Sequence, residues 1–72
     1  MITLKAHYGA AIETAIGKAK ATGKRETVNA PDGAEVYAYP HARGIALGVN
    51  ASGGFNLLSG VRRPDGTDEA VS

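Results

Sequence analysis

The sequence LKAHYGAAIETAIGKAKAT spans residues 4–22, and its apolar residues recur at steps of three and four. This spacing is typical of an amphipathic helix with a single apolar side. Thr3 is placed to cap the start of the helix, and Gly23 is placed to end it in a left-handed conformation. We therefore predict a helix over residues 4–22, whose apolar side carries Leu4, Tyr8, Ala11, Ile12, Ala15, Ile16 and Ala19.

The first six residues have an alternative interpretation. Met1–Ala6 alternates between apolar and polar side chains, which is also typical of a short strand. The helix is preferred because Leu4 stays in phase with Tyr8 on the apolar side.

Small side chains lie on a second side of the predicted helix. Glycine inside a helix costs up to about 1 kcal/mol relative to alanine, and Gly9 and Gly17 both carry this cost. Two explanations are open. In the first, an exposed, alanine-rich side simply tolerates glycine. In the second, close approach of another backbone requires glycine. On the second explanation Gly9, Glu13 and Gly17 are candidate contacts in a homodimer.

From Arg25 onward the repeat changes from helical to alternating, with turn residues between the segments. The turns fall at Pro31–Gly33, 40–44 and 51–54. The strands are predicted at Glu26–Ala30, Ala34–Tyr39, Ile45–Asn50 and Phe55–Ser59. Their spacing favours an antiparallel meander. The predicted fold class is α+β, with one N-terminal helix packed on a three- to four-stranded antiparallel β-meander.

Alternation assigns each strand residue to one of two sheet faces. The face beneath the helix is predicted to carry Val28, Val36, Ala38, Ile45, Leu47, Val49 and Phe55 or Leu57. The opposite face is predicted to carry Thr27, Tyr37, Tyr39, Ala46, Gly48 and Asn56, with a tyrosine ring covering the bare strand glycine.

The chain is predicted to form one α+β domain over residues 1–60, followed by a mobile polar tail over 61–72. The segment Arg62–Glu69 shows no apolar repeat. A 72-residue chain has a small core, and without cysteine it gains no disulfide. We therefore expect a homodimer or a bound partner more readily than a lone monomer.

Catalysis is not expected. His7 and His41 are the only side chains that ordinarily act as bases at neutral pH, and no cysteine nucleophile is present. Their separation fits no metal motif, and the glycines fit no phosphate or dinucleotide loop, so no metal and no cofactor are expected. An enzyme that assembles a shared site across a dimer is the remaining alternative, with one of these histidines as its base.

Charge and hydropathy predict a cytoplasmic protein. The net charge is +1, no signal peptide is recognised, and no apolar run is long enough to span a membrane. A dedicated nucleic-acid binder usually carries a clear basic excess, which the whole chain lacks.

Binding is therefore the expected activity, and the chain offers an aromatic set and a basic set of residues. Tyr37 and Tyr39 with Arg43 have the composition of a protein-interface hot spot. Their alternative role is to cover the sheet without binding a partner. The basic set is Lys18, Lys20, Lys24 and Arg25 at the predicted end of the helix, where positive charge also stabilises the helix dipole.

The leading hypothesis is a small non-enzymatic protein-binding module of the accessory or inhibitor type. Such a protein could be encoded by a prokaryote or its phage and act on a host defence complex. The alternative is a nucleic-acid-binding protein that uses both sets of residues, with bases stacked on the tyrosines. An RNA-recognition motif is not indicated, because Gly44–Asn50 contains no aromatic residue.

Overall fold

The structure, a computed structural model, describes the backbone of residues 4–70 and the side chains of residues 7–69. One helix precedes five strands, and the strands pair antiparallel with their neighbours in chain order. The α+β class and the meander are therefore confirmed, with one strand more than predicted. The elements are α1 (Leu4–Thr22), β1 (Glu26–Asn29), β2 (Glu35–His41), β3 (Gly44–Asn50), β4 (Asn56–Arg62) and β5 (Asp68–Ala70).

Helix α1 begins and ends close to the predicted positions. Leu4 onward is helical, so the strand alternative is wrong for residues 4–6, whereas Thr3 lies outside the described residues. Gly23 follows the helix with φ of 69° and donates its N–H to the carbonyl oxygen of Ala19 at 2.8 Å. This is the left-handed glycine that commonly ends a helix.

Three of the four turns share one hydrogen-bond pattern. In residues 30–34, the N–H of Gly33 donates to Ala30 at 2.9 Å, and Ala30 donates to Ala34 at 2.8 Å. The same pair of bonds recurs at residues 51–55 and 63–67. Each turn places its glycine at positive φ, with 89° at Gly33 and Gly66 and 91° at Gly54. A β-carbon is strained at such an angle, which explains the glycine at each of these positions.

The core lies between α1 and one face of the sheet. Val36, Ala38 and Val49 are fully buried there, packed with Ile12 and Ala15 of the helix. The intervening residues of β2, Tyr37 and Tyr39, point to the opposite face because successive strand side chains alternate. The predicted assignment of the two faces to β2 and β3 is therefore confirmed.

Strand β2 is longer than predicted, because Pro40 and His41 belong to it rather than to the turn. Pro40 pairs with Ile45, and the turn contains only the two residues between His41 and Gly44. The pairing of β1 with β2 stops at Ala38. Pro40 therefore lies where one side of β2 has no neighbouring described strand. Proline has no N–H to donate, and on that side no strand is present to accept one.

The start of β4 differs from the prediction through a bulge. The β3–β4 register shifts between Val49 and Asn50, so Val49 pairs with Leu58 and Asn50 with Asn56. Leu57 and Leu58 both pack partly against the core. Phe55 was a candidate core residue and is instead 75 % exposed. The extra residue of the bulge explains why plain alternation misplaced this strand.

Residues assigned to the polar tail contribute the end of β4 and all of β5. Val61 is buried, and Arg62 pairs through the backbone with both Ile45 and Asp68. The Arg62 guanidinium binds the carboxylates of Glu13 on the helix and Asp68 on β5. A charged network therefore links the helix to the last two strands where the apolar repeat ends.

Candidate partner-binding face

The sheet face opposite α1, here called the outer face, is built from two rows of paired residues across the strands. Thr27, Tyr37, Gly48 and Ser59 form one row. Tyr39, Ala46, Val61 and Glu69 form the next. The helix packs on the opposite face, so no other described element packs on this one.

The aromatic part of the outer face is an ordered stack. The rings of Tyr37 and Tyr39 lie 6.1 Å apart between centroids, with an angle of 11° between their planes. The Arg25 guanidinium carbon lies 4.9 Å from the centre of the Tyr37 ring, within the range of a cation–π contact. The two tyrosines and one arginine named as partner-binding candidates are therefore neighbours in space.

Gly48 provides the space that the Tyr37 ring occupies. A β-carbon built on Gly48 would overlap the outer end of that ring. The glycine is buried although it lies on the outer face, because Tyr37 covers it. The predicted cover of a strand glycine by an aromatic ring is thus present at this position.

A half-open depression of about 180 Å³ lies beside the tyrosine stack, here called the outer depression. Tyr37, Tyr39 and His41 of β2 line it, together with residues of β3 and β4 that include Leu47 and Ser59. Ala46 and Val61 also line it although both are buried, and the tyrosines, His41 and Ser59 add polar groups to the lining.

Ion pairs border the outer face near the two-residue turn. Arg43 pairs with Glu69 at 2.9 Å, and Arg63 pairs with the same carboxylate at 2.7 Å. These contacts, chiefly the hydrogen bond from Arg63, lower the pKa of Glu69. Arg43 lies in the turn after β2 and its charge is paired with Glu69, so its role in partner binding stays a prediction.

The basic residues of the helix end lie apart from that cluster. Lys18, Lys20 and Lys24 are all exposed. Arg25 connects them to the outer face, because it lies over Tyr37 and pairs with Glu35 at 3.8 Å. Arg25 of the basic set therefore contacts the aromatic set, whereas partner binding by these seven residues stays a prediction.

Contacts within the chain explain Glu13 among the candidate dimer residues, but they do not explain Gly9 and Gly17. A β-carbon on Gly9 or Gly17 would meet nothing within 4 Å. Glu13 accepts two hydrogen bonds from Arg62, at 3.0 and 2.5 Å. Glu13 therefore holds the sheet to the helix, and the two glycines stay predictions for a dimer contact.

The histidines occupy exposed positions with local partners. His7 Nε2 lies 3.7 Å from Asp32, and Nδ1 of His41 accepts the N–H of Arg43 at 3.1 Å. Within residues 4–70, no group of three or more acidic, histidine or cysteine side chains is placed to hold a metal ion. The same part of the chain contains no helix that is long and apolar enough to cross a membrane.

Several outer-face residues were absent from the sequence-based candidates. Val61 reaches this face because β4 extends to Arg62, and Glu69 reaches it because the chain then turns back into β5. The signal for that turn is present at residues 64–66, which repeat the Pro-Asp-Gly of residues 31–33.

No protein-family model, no curated protein and no solved structure matches this chain.

Proposed function

We propose that this protein is a non-enzymatic binding module that engages another protein through its outer face. The observation that carries the proposal is the Tyr37–Tyr39 stack beside the outer depression, on a face that no other described element covers. Tyrosine and arginine are enriched at interface hot spots, because they bury a large area and keep a polar group for hydrogen bonding.

A rigid stack favours binding on entropic grounds. Ordering a free side chain on association costs roughly 0.5–1.5 kcal/mol. Tyr37 lies between Gly48 below it, Tyr39 beside it and Arg25 over it. Its side chain is therefore largely ordered before a partner binds. The proposed biological role is that of an accessory or inhibitor protein, which acts by occupying a surface of its partner.

The test is capture of protein partners from an extract of the source organism, followed by affinity measurement with the purified partner. We expect the double variant Tyr37→Ala, Tyr39→Ala to stay folded and lose more than about 2 kcal/mol of binding free energy. Phe55→Ala is the matched control, because it removes an exposed aromatic ring that does not line the depression. Equal affinity of the double variant and the parent would rule out this face.

Binding of single-stranded nucleic acid is the second candidate function. The observation that favours it is the stack of two aromatic rings and a guanidinium, in a chain that also exposes Lys18, Lys20 and Lys24. Bases stack on such aromatic groups while basic side chains contact the phosphates. Affinity for a labelled oligonucleotide that falls steeply between about 50 and 200 mM salt would support this candidate over the first.

A further inference from the structure

Two turns of the sheet share the same sequence and the same backbone geometry. Pro-Asp-Gly occupies residues 31–33 between β1 and β2, and again residues 64–66 between β4 and β5. In each turn the glycine N–H donates to a carbonyl oxygen at 2.9 Å, and φ is 89° at both Gly33 and Gly66. A difference in the chemical behaviour of Asp32 and Asp65 must therefore come from what surrounds each turn.

An aspartate that precedes glycine can rearrange its own backbone. The glycine nitrogen attacks the side-chain carboxyl carbon, a C–N bond forms, and one carboxyl oxygen leaves as water to give a five-membered succinimide. Water then adds to the original peptide carbonyl and breaks its bond to the nitrogen, which leaves isoaspartate with its β-carbon in the main chain. One water is released and one is taken up, so no other reagent is needed. Glycine favours the attack because it has no side chain to hinder close approach.

The surroundings of Asp32 hold its carboxylate away from this reaction. Oδ2 accepts the 2.5 Å bond from the Tyr8 hydroxyl on α1, and Oδ1 accepts the N–H of Ala34 at 3.0 Å. Ala30 and Ala34, on either side of the turn, are only 5 % and 2 % exposed. The Asp32 carboxyl is therefore free to turn toward the nitrogen of Gly33 only after the Tyr8 bond breaks.

The hydrogen bonds to Asp65 come from within its own turn. Oδ1 accepts both the N–H of Thr67 at 2.9 Å and the Thr67 hydroxyl at 2.6 Å. Arg63 and Thr67 hold the positions equivalent to the two buried alanines, and both are exposed. The turn leads into β5, which is three residues long and lies at the edge of the sheet. Short, exposed elements open locally more often than the core does, so Asp65 gains freedom to react while the helix stays in place.

We propose that Asp65 is a site of spontaneous isoaspartate formation, and that the bond from Tyr8 protects the chemically equivalent Asp32. The rate at each site is set by how often its turn opens. The inference is independent of the proposed function, because it concerns the two turns and requires no partner.

The modification has a structural consequence at the border of the outer face. Isoaspartate adds one main-chain atom to the turn and so displaces β5 from its register with β4. Glu69 then moves relative to Arg43 and Arg63, and both of its ion pairs are weakened. An aged chain would therefore present a different arrangement of charge beside the tyrosine stack.

The experiment ages the full, folded chain for several weeks in mildly acidic buffer, because the oxygen that leaves must be protonated. Trypsin then releases residues 26–43 and 63–72, each of which contains one Asp-Gly pair. Chromatography and mass spectrometry measure the isoaspartate in each peptide. We expect isoaspartate to form at least about fivefold faster at Asp65 than at Asp32, which is the factor that one hydrogen bond supplies.

The same chain unfolded in urea is the matched control. Both sites have the same Pro-Asp-Gly sequence, so they should react at similar rates once the fold is removed. Equal rates at Asp32 and Asp65 in the folded chain would overturn the proposal. So would an absence of isoaspartate at Asp65 in the folded chain under conditions where the unfolded chain reacts.

Tyr8→Phe tests the protection of Asp32 directly. It removes the hydroxyl donor, so isoaspartate formation at Asp32 should rise about fivefold toward the rate at Asp65. Tyr39→Phe is the control, because it removes a tyrosine hydroxyl from the opposite face of the sheet, and it should change neither rate. An unchanged rate at Asp32 in folded Tyr8→Phe would contradict the protective role. If Tyr8→Phe does not fold, the comparison of the two sites in the parent chain decides the question.

Hydrogen exchange tests the structural consequence. Chains that carry isoaspartate at residue 65 are separated from the parent by chromatography, and their amide protection is compared. We expect protection to fall in β5 and to stay unchanged in β1 and β2. Unchanged protection of β5 would show that the modification leaves the register intact, contrary to the expected displacement.

Discussion

The hydroxyl of Tyr8 donates a 2.5 Å hydrogen bond to Oδ2 of Asp32, and this bond joins the helix to the β1–β2 turn. The second carboxylate oxygen of Asp32 accepts the N–H of Ala34 at 3.0 Å within the turn. These contacts lower the pKa of Asp32, chiefly through the bond from Tyr8, and that bond raises the pKa of Tyr8. The first hairpin is therefore attached to the helix most firmly while Asp32 is ionised and Tyr8 is protonated.

Removing this bond should change how stability depends on pH. A lowered pKa in the folded state means that the Asp32 contribution is complete above its usual value of 3.8 and is lost as pH falls through the lower folded value. Tyr8→Phe keeps the ring and removes the donor, so its free energy of unfolding should fall less than the parent's on acidification. Urea unfolding at a series of acidic pH values measures this difference.

Asp65→Asn is the comparison variant for that experiment, because it removes the carboxylate of the other Pro-Asp-Gly turn and leaves the Tyr8–Asp32 bond in place. Asp65 holds the equivalent position in the second Pro-Asp-Gly turn, and its carboxylate accepts bonds from Thr67 rather than from a tyrosine. Tyr8→Phe should leave the acid sensitivity that arises from Asp65 intact. Identical pH profiles for Tyr8→Phe and the parent would show that the Tyr8–Asp32 bond does not stabilise the fold.

The contact of Tyr37 with Gly48 predicts a coupled pair of substitutions. Gly48→Ala should displace the Tyr37 ring, because the added β-carbon overlaps it. In a Tyr37→Ala background that obstacle is gone, and alanine should stabilise the strand by about 0.4–1 kcal/mol by restricting the unfolded chain. A double-mutant cycle of unfolding free energies tests this coupling. The same effect of Gly48→Ala in both backgrounds would disprove it.

Arg62 should contribute more to stability than its partner on the helix. Its side chain is 14 % exposed, as against 16 % for Asp68 and 60 % for Glu13. Arg62→Ala removes the guanidinium from the nearly buried Asp68 and should cost roughly 1–3 kcal/mol. Glu13→Ala breaks an exposed contact and should cost less than about 1 kcal/mol. Urea unfolding of both variants measures the ranking.

Hydrogen exchange locates the effect of the same substitution. We expect Arg62→Ala to reduce amide protection in β5, because Arg62 ties Asp68 to β4 and to the helix. Arg63→Ala is the comparison, because it also removes a contact to β5, at Glu69, but through a more exposed side chain, so it should reduce protection less. Unchanged protection of β5 in Arg62→Ala, or an equal loss in both variants, would contradict this role.

Much of the fold follows from local signals in the chain. The three- and four-residue repeat predicts α1, and alternation in Val36–Tyr39 and Ile45–Asn50 assigns the two sheet faces correctly. These signals suffice because a helix and a half-buried strand each bury one side at a fixed period. Gly23 predicts the helix end because few other residues adopt its backbone conformation.

The remaining errors arise where pairing between strands overrides local pattern. The β3–β4 bulge changes which residue faces the core, and nothing in Asn56–Leu58 alone specifies that shift. Strand β5 is short and polar, so it lacks an apolar repeat, and ion pairs of Arg62 hold it instead. The repeated Pro-Asp-Gly at residues 64–66 was the available indication of a further hairpin.

The candidate site was partly predictable for a similar reason. Tyr37 and Tyr39 follow from alternation within one strand, whereas the depression requires β2, β3 and β4 in register. Ala46 was assigned to the correct face, but the role of Val61 depends on the extension of β4. A site built across strands is specified by the register, which a single sequence determines only weakly.

The most direct test of the account uses thiol labelling, because the chain contains no cysteine of its own. Ala38→Cys and Tyr39→Cys place a thiol at adjacent positions, of which Ala38 is fully buried and Tyr39 is 38 % exposed. We predict that Tyr39→Cys reacts rapidly in the folded protein and that Ala38→Cys reacts only as the protein unfolds. Rapid labelling of Ala38→Cys together with protection of Tyr39→Cys would place the tyrosine face beneath the helix and contradict the proposed binding surface.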